Sequence, residues 1–369
     1  MSSPKPLEGL NKIAPYVGGE SEIEDMGKVI KLASNEGAFG PSPKTIEALR
    51  TAAKDYHRYP DGDSLQLREL LSSKFNLETE RIICGCGSDE LISLLCRSYA
   101  GSGDEILCSA HGFAMYPIYG QTVGAEIVTA DEDNITIDVN NLLEMVTENT
   151  KLLFIANPNN PTGTYLPESE LKRLHEGLPG GVLLVIDSAY AEYTSSEDYS
   201  AGIDIVRANK NVAMLRTFSK IYGMGGVRLG WGYFPEEVAD VLNRMRSPFN
   251  VSYPAQVAGA TAILDEEFIE MSQSHNNKWL AWTIEQCRSA GLVVPNSYCN
   301  FALLRFPEKP NDDTEHPHKD AKAANSFLKS RGIIVRGLSG YGLPDALRVS
   351  IGQEDEMRLV VSLLQEFME

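Results

Sequence analysis

Short apolar runs alternate with helical patterns through the middle of the chain. The runs are short and continuous, as in Val-Leu-Leu-Val-Ile at 182–186, and apolar residues recur at helical spacing between them, as from Leu91 to Tyr99. This alternation is typical of βαβ units in a mainly parallel sheet. The pattern therefore predicts an α/β fold, with strands over 81–84, 105–108, 126–129, 151–156, 182–186 and 212–215.

The pattern changes near residue 265. A long helical stretch runs from Glu267 towards Ala290, and strands are then predicted at 301–306, 333–336 and 347–351, with helices at 321–331 and at the C-terminus. Residues 307–322 read as an exposed loop. We predict an N-terminal arm at 1–40, a large domain at 41–264, and a smaller α+β domain at 265–369 on which the arm packs.

Polar or glycine-rich clusters directly follow four of the predicted strands. They begin at Gly85, Asn157, Asp187 and Thr217. The carboxyl ends of parallel strands meet at one edge of a sheet, and ligands bind at that edge in open α/β folds. We therefore expect all four clusters to build one binding site.

Lys220 is the most informative residue of these clusters. Thr217 and Ser219 precede it, a glycine-rich turn follows it, and Arg228 comes eight positions later. An amine beside anion-binding groups can bond covalently to an aldehyde that carries a phosphate. This predicts a site for pyridoxal phosphate (PLP). The competing interpretation is a surface loop that happens to carry a Lys and an Arg.

Four residues of the other clusters each allow two interpretations. Asp187 ends an apolar run, and its carboxylate needs a partner, either the ring nitrogen of PLP or an internal Arg or Lys. Asn160 and Tyr190 could bind the phenolic oxygen of the ring, although Asn before Pro also suits a turn. Ser88 follows a glycine turn at a helix start, where it binds a phosphate or only caps the helix.

Four further residues stand out beyond the clusters. Tyr116 follows a predicted strand and could stack on a cofactor ring or belong to the core. Tyr59 lies in a turn. Arg336 and Arg348 lie in apolar strands, where arginines are explained best by recognition of a planar anion.

The composition excludes several kinds of partner. The 369 residues carry a formal net charge of -18, which disfavours nucleic acid and anionic membranes. No segment approaches the roughly 20 apolar residues of a membrane span. The six cysteines contain no Cys-x-x-Cys. They predict no metal site and are typical of a reduced, cytoplasmic protein.

Together these motifs resemble the fold-type I PLP aminotransferases and, within them, the histidinol-phosphate aminotransferases. The resemblance covers almost the whole chain in order. The matching segments are 31–36, 59–62, 87–90, 157–163, 187–190, 219–228 and 347–352. It implies a fold like that of aspartate aminotransferase, in which a mainly parallel, mixed sheet is sandwiched by helices. It also implies a homodimer that transfers an amino group between L-histidinol phosphate and 2-oxoglutarate or glutamate.

The resemblance also implies roles for individual residues. Lys220 is the covalent partner of PLP and the proton carrier, Asp187 pairs with the ring nitrogen, and Tyr116 stacks on the ring. Tyr190 and Asn160 bind the phenolic oxygen. The implied phosphate-side residues are Ser88, Asp89, Thr217, Ser219 and Arg228, with Tyr59 supplied by the neighbouring subunit. The implied substrate-side residues are Arg348, for the α-carboxylate of glutamate, and Arg336, Tyr16 and Asn35.

Three departures from the family pattern leave the substrate open. They lie at Gly37-Ala38, Cys86 and Ser188, and none removes a catalytic group. The alternatives are an aromatic amino-acid aminotransferase and a PLP-dependent lyase or decarboxylase on the same scaffold. A non-catalytic regulator domain is disfavoured, because the chain has neither the extra length nor a basic segment for nucleic acid.

Overall fold

The computed structural model describes residues 3–6, 8–14, 18–24, 26–27, 29–307 and 319–369. Short 3-10 helices lie at Glu8–Lys12, Ala53–Asp55, Thr79–Arg81, Ala191–Tyr193 and Ser339–Tyr341. The strands are β1 Ile30–Lys31, β2 Ile82–Gly85, β3 Glu105–Ser109, β4 Glu126–Ala130, β5 Glu132–Asp133, β6 Thr136–Ile137, β7 Thr150–Ala156, β8 Leu183–Asp187, β9 Val212–Thr217, β10 Gly230–Tyr233, β11 Phe301–Arg305, β12 Ile333–Ile334, β13 Arg336–Leu338 and β14 Leu343–Ser350. The helices are α1 Pro43–Ala52, α2 Leu65–Phe75, α3 Ser88–Tyr99, α4 Met115–Thr122, α5 Val139–Glu144, α6 Glu168–Gly177, α7 Ile203–Ala208, α8 Glu236–Met245, α9 Tyr253–Ala262, α10 Glu266–Ser289, α11 Ala321–Lys329 and α12 Glu354–Met368.

Seven strands form the large sheet in the order β2-β10-β9-β8-β7-β3-β4. The pairs are parallel except for the two that β10 makes. Because β10 runs the other way, its first residue, Gly230, lies beside Gly85 and Thr217, the last residues of β2 and β9. The segment just before β10, which includes Arg228, therefore lies at the same edge as the residues that follow the parallel strands. The predicted mixed α/β fold is confirmed.

Burial explains which strands the sequence pattern revealed. Every residue of β8 and β9 is buried, because helices cover both faces of the sheet, and such strands read as continuous apolar runs. The six predicted strands agree with the observed ones to within two residues at each end. Strand β10 was missed because its sequence, Gly-Trp-Gly-Tyr, shows no apolar run.

The C-terminal region forms a second, smaller sheet. Its strands lie antiparallel in the order β11-β14-β13, while β12 pairs in parallel with β1 from the N-terminal region. The predicted strand 333–336 is therefore divided at Val335, since β12 and β13 have different partners. Leu32 packs into the apolar core of this region. The domain boundaries at 40 and 264 stay predictions.

The loop predicted at 307–322 lies only partly within the described residues. Residues 308–318 of the loop predicted at 307–322 lie outside the described residues, and α11 already begins at Ala321. Among the helices that the structure describes, none has the length and apolar character needed to cross a membrane.

Candidate active site

A cavity of about 260 Å³ opens at the carboxyl edge of the large sheet. Ala156, Asp187 and Thr217, the last residues of β7, β8 and β9, lie in its wall. Most of the residues predicted to bind a cofactor meet here, although they come from distant parts of the chain. Those in the wall are Ser88, Asp89, Asn160, Asp187, Tyr190, Thr217, Ser219, Lys220 and Arg228.

The amine in this cavity belongs to Lys220. Its Nζ donates a hydrogen bond of 3.2 Å to the backbone carbonyl of Ser34. Burial, followed by the positive charge of Arg348, lowers the pKa of Lys220 to about 8. A lysine with such a pKa is partly neutral near pH 7, so its nitrogen can act as a nucleophile or a base.

Asp187 supplies a buried carboxylate with one oxygen left over. The residue is 5% exposed, and its Oδ2 accepts a 3.0 Å hydrogen bond from the Tyr116 hydroxyl. The buried Oδ1 has no hydrogen-bond partner among the described residues. Burial raises the pKa of Asp187 to about 6. A buried carboxylate oxygen needs a hydrogen-bond donor, and a positively charged donor stabilises it most. The protonated ring nitrogen of PLP is such a donor.

The aromatic wall of the cavity differs from the prediction. Tyr116 was predicted to stack on a cofactor ring, but it is fully buried behind the wall and stacks on Phe154 at 4.9 Å between ring centroids. Its hydroxyl donates a hydrogen bond to Asp187 and is therefore not available to a ligand. Phe113, which begins the same turn, lies in the cavity wall instead, as does Tyr190. Tyr116 thus holds the carboxylate, and Phe113 is positioned to face a ring.

Asn160 presents its amide nitrogen to the cavity. The residue is 8% exposed, and Arg348 donates a hydrogen bond to its Oδ1. Because a guanidinium has donors and no acceptor, the amide must direct its oxygen towards Arg348. Two N–H donors therefore remain for a group inside the cavity, as the phenolic oxygen of PLP requires.

Tyr190 adds a second polar side chain to the cavity wall, in addition to Asn160. It is 3% exposed, and its ring centroid lies 5.6 Å from the Lys220 Nζ. The amide of Asn35 donates to its hydroxyl at 2.8 Å. Asn35 was predicted as a substrate-side group, but it is 1% exposed and lies behind the wall, where Tyr190 and Ser350 are its partners.

The opposite end of the cavity has the chemistry of an anion site. Ser88 is the first residue of α3, and a helix N-terminus directs backbone N–H groups towards an anion. The Arg228 guanidinium lies near the Ser219 hydroxyl at 3.5 Å and the Asp89 carboxylate at 3.4 Å. Burial raises the pKa of Asp89, and the charge of Arg228 opposes this effect. The arginine thus supplies positive charge beside a helix N-terminus.

The turn before α3 requires glycine for two reasons. Gly87 has a φ of +82°, which favours glycine, and a Cβ placed there would lie 2.6 Å from the Arg228 guanidinium. Any side chain at this position would therefore displace the arginine from the anion end of the cavity.

Arg348 and Arg336 lie beside the cavity rather than in its wall. Arg348 is 5% exposed and donates to the Ala33 carbonyl at 2.9 Å, in addition to Asn160. Arg336 is its direct partner across the antiparallel β13–β14 pair, so both side chains lie on one face of the small sheet. Two guanidinium groups therefore lie side by side on this face.

One predicted residue lies apart from this site, and another lies outside the described residues. Tyr59 is 84% exposed and stacks on Phe249 at 4.7 Å between centroids, so it does not line the cavity of its own chain. Tyr16 lies outside the described residues. The predicted roles of both residues stay predictions.

Among the wall residues to which sequence reasoning gave no role, three have polar or aromatic side chains, namely Ser34, Glu36 and Phe113. Ser34 and Glu36 line the cavity. The segment that contains them was recognised as a motif, but neither residue was predicted to face a ligand. Phe113 was overlooked in favour of Tyr116, and sequence offers no way to tell which of two aromatics in one turn points outward. The position of Ser34 and Glu36 follows from the β1–β12 pair, which has no signal in the sequence.

The fold and the site together define a PLP-type transferase, and comparison with known proteins gives the family. A family model described as aminotransferase class I and II matches residues 27–364, so the chain belongs to the class I and II aminotransferases.

Individual relatives are more specific. The chain is 54% identical over 368 residues to a histidinol-phosphate aminotransferase from Paramagnetospirillum magneticum, covering 100% of this chain and 99% of that protein. It is 50% identical to the histidinol-phosphate aminotransferase of Rhodospirillum rubrum, covering 99% and 97%. Among solved structures, it resembles histidinol-phosphate aminotransferase from Sinorhizobium meliloti in complex with pyridoxal-5'-phosphate. That match has a TM-score of 0.84 and 27% identity, and covers 92% of this chain and 91% of the other.

Proposed function

We propose that this protein is a PLP-dependent transaminase whose cofactor lies in the 260 Å³ cavity. One observation carries the proposal: a lysine amine of lowered pKa and a buried carboxylate oxygen without a partner among the described residues line the same cavity. Lys220 would be the covalent partner, and Asp187 would face the ring nitrogen. The phosphate would be held by Ser88, Thr217, Ser219 and Arg228, with Asp89 beside the arginine.

The side chains of this cavity divide the proton chemistry between them. PLP, when bound, supplies a ring that accepts the electrons left behind when the Cα proton of the amino donor is removed. Lys220 Nζ is the base for that proton, because its lowered pKa leaves part of it neutral near pH 7. Asp187 keeps a proton on the ring nitrogen. Asn160 and Tyr190 direct hydrogen bonds at the phenolic oxygen.

We propose L-histidinol phosphate as the amino donor and 2-oxoglutarate as the acceptor. The support is the substrate in the names of relatives that match the chain over nearly their full length. Arg336 and Arg348 share one positive face next to Asn160. Guanidinium groups bind phosphate and carboxylate oxygens in the same way. We therefore propose that one arginine pair serves the phosphate of one substrate and a carboxylate of the other.

A substrate panel tests this assignment. We expect kcat/KM for L-histidinol phosphate to exceed that for phenylalanine, tyrosine and unphosphorylated L-histidinol by about 100-fold or more, since each charge-assisted bond contributes about 1.5–3 kcal/mol. Unphosphorylated L-histidinol is the matched control, because it differs only in the phosphate. A larger value for an aromatic amino acid would contradict the assignment. Consumption of the donor without glutamate formation would indicate a lyase instead.

We further propose a homodimer in which Tyr59 reaches the anion end of the cavity in the neighbouring subunit. The support is the position of Tyr59, which is 84% exposed, stacked on the exposed Phe249 and absent from its own cavity. Large aromatic side chains in such positions are enriched at interfaces between proteins.

Substitution of Tyr59 tests this interface. We expect Tyr59→Phe to weaken PLP binding by about tenfold, which is the loss of one charge-assisted hydrogen bond. Tyr56→Phe is the matched control, because Tyr56 is also exposed and, among the described residues, its hydroxyl donates only to the Leu49 carbonyl. Equal affinity of Tyr59→Phe and wild type, or a monomer that binds PLP with full affinity, would contradict the proposal.

We also propose a cytoplasmic location. All six cysteines are free, and five of them are buried. Reduced thiols of this kind are typical of the cytoplasm. Recovery of the enzyme mainly from an oxidising compartment after cell fractionation would contradict this location.

A further inference from the structure

Ser350, Asn35 and Tyr190 form a buried chain of hydrogen bonds that ends at the cavity. Ser350 is the last residue of β14 and is 3% exposed. Asn35 has a φ of +53°, a left-handed conformation that asparagine tolerates better than most residues. This conformation lets both its backbone N–H and its side chain meet Ser350, while the other end of the amide meets Tyr190.

The direction of each hydrogen bond follows from counting donors. The Asn35 backbone N–H can only donate, and it does so to Ser350 Oγ at 2.8 Å. The Ser350 hydroxyl must then direct its own proton elsewhere. Among the described residues, the acceptor within reach is the side-chain oxygen of Asn35 at 3.2 Å. The serine therefore fixes which end of the amide faces it.

The orientation of the Asn35 amide also determines which hydrogen bond Tyr190 accepts. With Oδ1 held by Ser350, the Asn35 Nδ2 donates to the Tyr190 oxygen at 2.8 Å. The phenolic proton of Tyr190 then points away from Asn35, and Tyr190 lies in the cavity wall. In the opposite orientation, Asn35 Oδ1 would compete for that proton, and the buried Ser350 hydroxyl would lose its acceptor, which is unfavourable for a buried donor.

We propose that Ser350 and Asn35 are positioning residues that make Tyr190 a hydrogen-bond donor to the cofactor's phenolic oxygen. This inference rests on the proposed function and extends it to a pair of residues that touch neither cofactor nor substrate. Asn160 follows the same logic, since Arg348 fixes its amide from the same strand, two residues before Ser350. Strand β14 thus sets the polarity of both donors.

The test is the pH midpoint of the visible absorption band of the PLP-loaded protein. A donor to the phenolic oxygen stabilises its negatively charged form, so losing the donor moves the midpoint to higher pH. We expect Tyr190→Phe to raise the midpoint by about one pH unit and Ser350→Ala by about half as much. Ser350→Thr keeps the hydroxyl and should leave the midpoint unchanged.

A double-mutant cycle separates polarity from other effects of the substitution. The ionisable groups that face the Tyr190 ring and hydroxyl are Lys220, Arg348, Asp187 and Cys299, and all remain in every variant. In the Tyr190→Phe background, Ser350→Ala should move the midpoint by less than about 0.2 pH unit, because its effect passes through the missing hydroxyl. A shift of equal size in both backgrounds, or none in either, would overturn the inference.

Asn35→Asp provides the same test if Ser350→Ala does not fold. Both carboxylate oxygens accept, so the Tyr190 hydroxyl would donate its hydrogen bond to the introduced carboxylate and not to the cofactor, while the added charge acts in either background. The shift should therefore be larger with Tyr190 present than with Tyr190→Phe; equal shifts would overturn the inference. A wild-type protein that shows no visible band with PLP would contradict the proposed function itself, which distinguishes the two failures.

Discussion

With Lys220 replaced by alanine, transamination should fall by about 10⁴-fold, because one amine supplies both the covalent attachment and the base. The visible band of the lysine-bound cofactor should disappear even where PLP remains in the cavity. The loss is expected in kcat, since the anion end of the cavity keeps Ser88, Ser219 and Arg228. A coupled assay of glutamate formation and an absorption spectrum measure both effects.

A surface lysine provides the control for this variant. Lys210 has a side chain that is 86% exposed and pairs with Glu237 on the surface, so Lys210→Ala should keep wild-type activity. Cycling of Lys220→Ala at a rate near that of the wild type would refute the assignment of Lys220 as the base.

Asp187→Asn should have the second largest effect, a loss of about 10²- to 10³-fold in kcat. Asparagine keeps the shape of the side chain but not its charge, so nothing holds a proton on the ring nitrogen. Removing one partner of a buried ion pair costs about 3–5 kcal/mol, and the lower part of this interval corresponds to the expected loss. Asp240→Asn is the control, since that carboxylate is 58% exposed and pairs with Arg244. Activity within tenfold of wild type would mean that Asp187 does not pair with the ring.

The same variant should stabilise the protein without its cofactor. The folded pKa of Asp187, about 6, lies above its ordinary value of 3.8. The folded state therefore binds more protons than the unfolded state between these values, and its stability falls as pH rises through that interval. Above about pH 6 the cost is constant, and Asp187→Asn should remove up to about 3 kcal/mol of it.

Chemical unfolding of the cofactor-free proteins at about pH 4 and about pH 8 measures this difference. The two proteins should differ little at the lower pH, where the carboxyl is protonated in the folded state and only about half ionised in the unfolded state. Adding PLP should reverse the order at the higher pH, because only the wild type gains an ion pair. Asp187→Asn that is less stable than wild type at both pH values without PLP would contradict the pKa assigned to Asp187.

The sequence predicted best those features that follow from the repeated alternation of apolar strands and helices along the chain. Strands buried on both faces must be apolar throughout, so β7, β8 and β9 were visible as runs. Because the carboxyl ends of parallel strands share an edge, the sequence predicts that Asp187 and Lys220 lie in one cavity, as they do. The prediction of a parallel sheet is therefore also a prediction of where the site lies.

The features that sequence did not reveal depend on which way a side chain points. Tyr116 and Phe113 lie in one turn, and only the packing of Tyr116 on Phe154 decides which aromatic faces the cavity. Asn35 belongs to a recognised motif, yet its partner Ser350 lies 315 residues away. This contact depends on how β14 and the segment after β1 are placed side by side, and β1, with two residues, is too short to be read from periodicity.

The most direct measurement is a single half-reaction of the PLP-loaded protein with L-histidinol phosphate, without 2-oxoglutarate. The visible band should disappear as an equivalent amount of oxo product forms, and 2-oxoglutarate should restore the band and release glutamate. A band that persists in the presence of this donor, or one that is lost as readily to phenylalanine, would contradict a site built from Lys220, Asp187 and the paired arginines for this reaction.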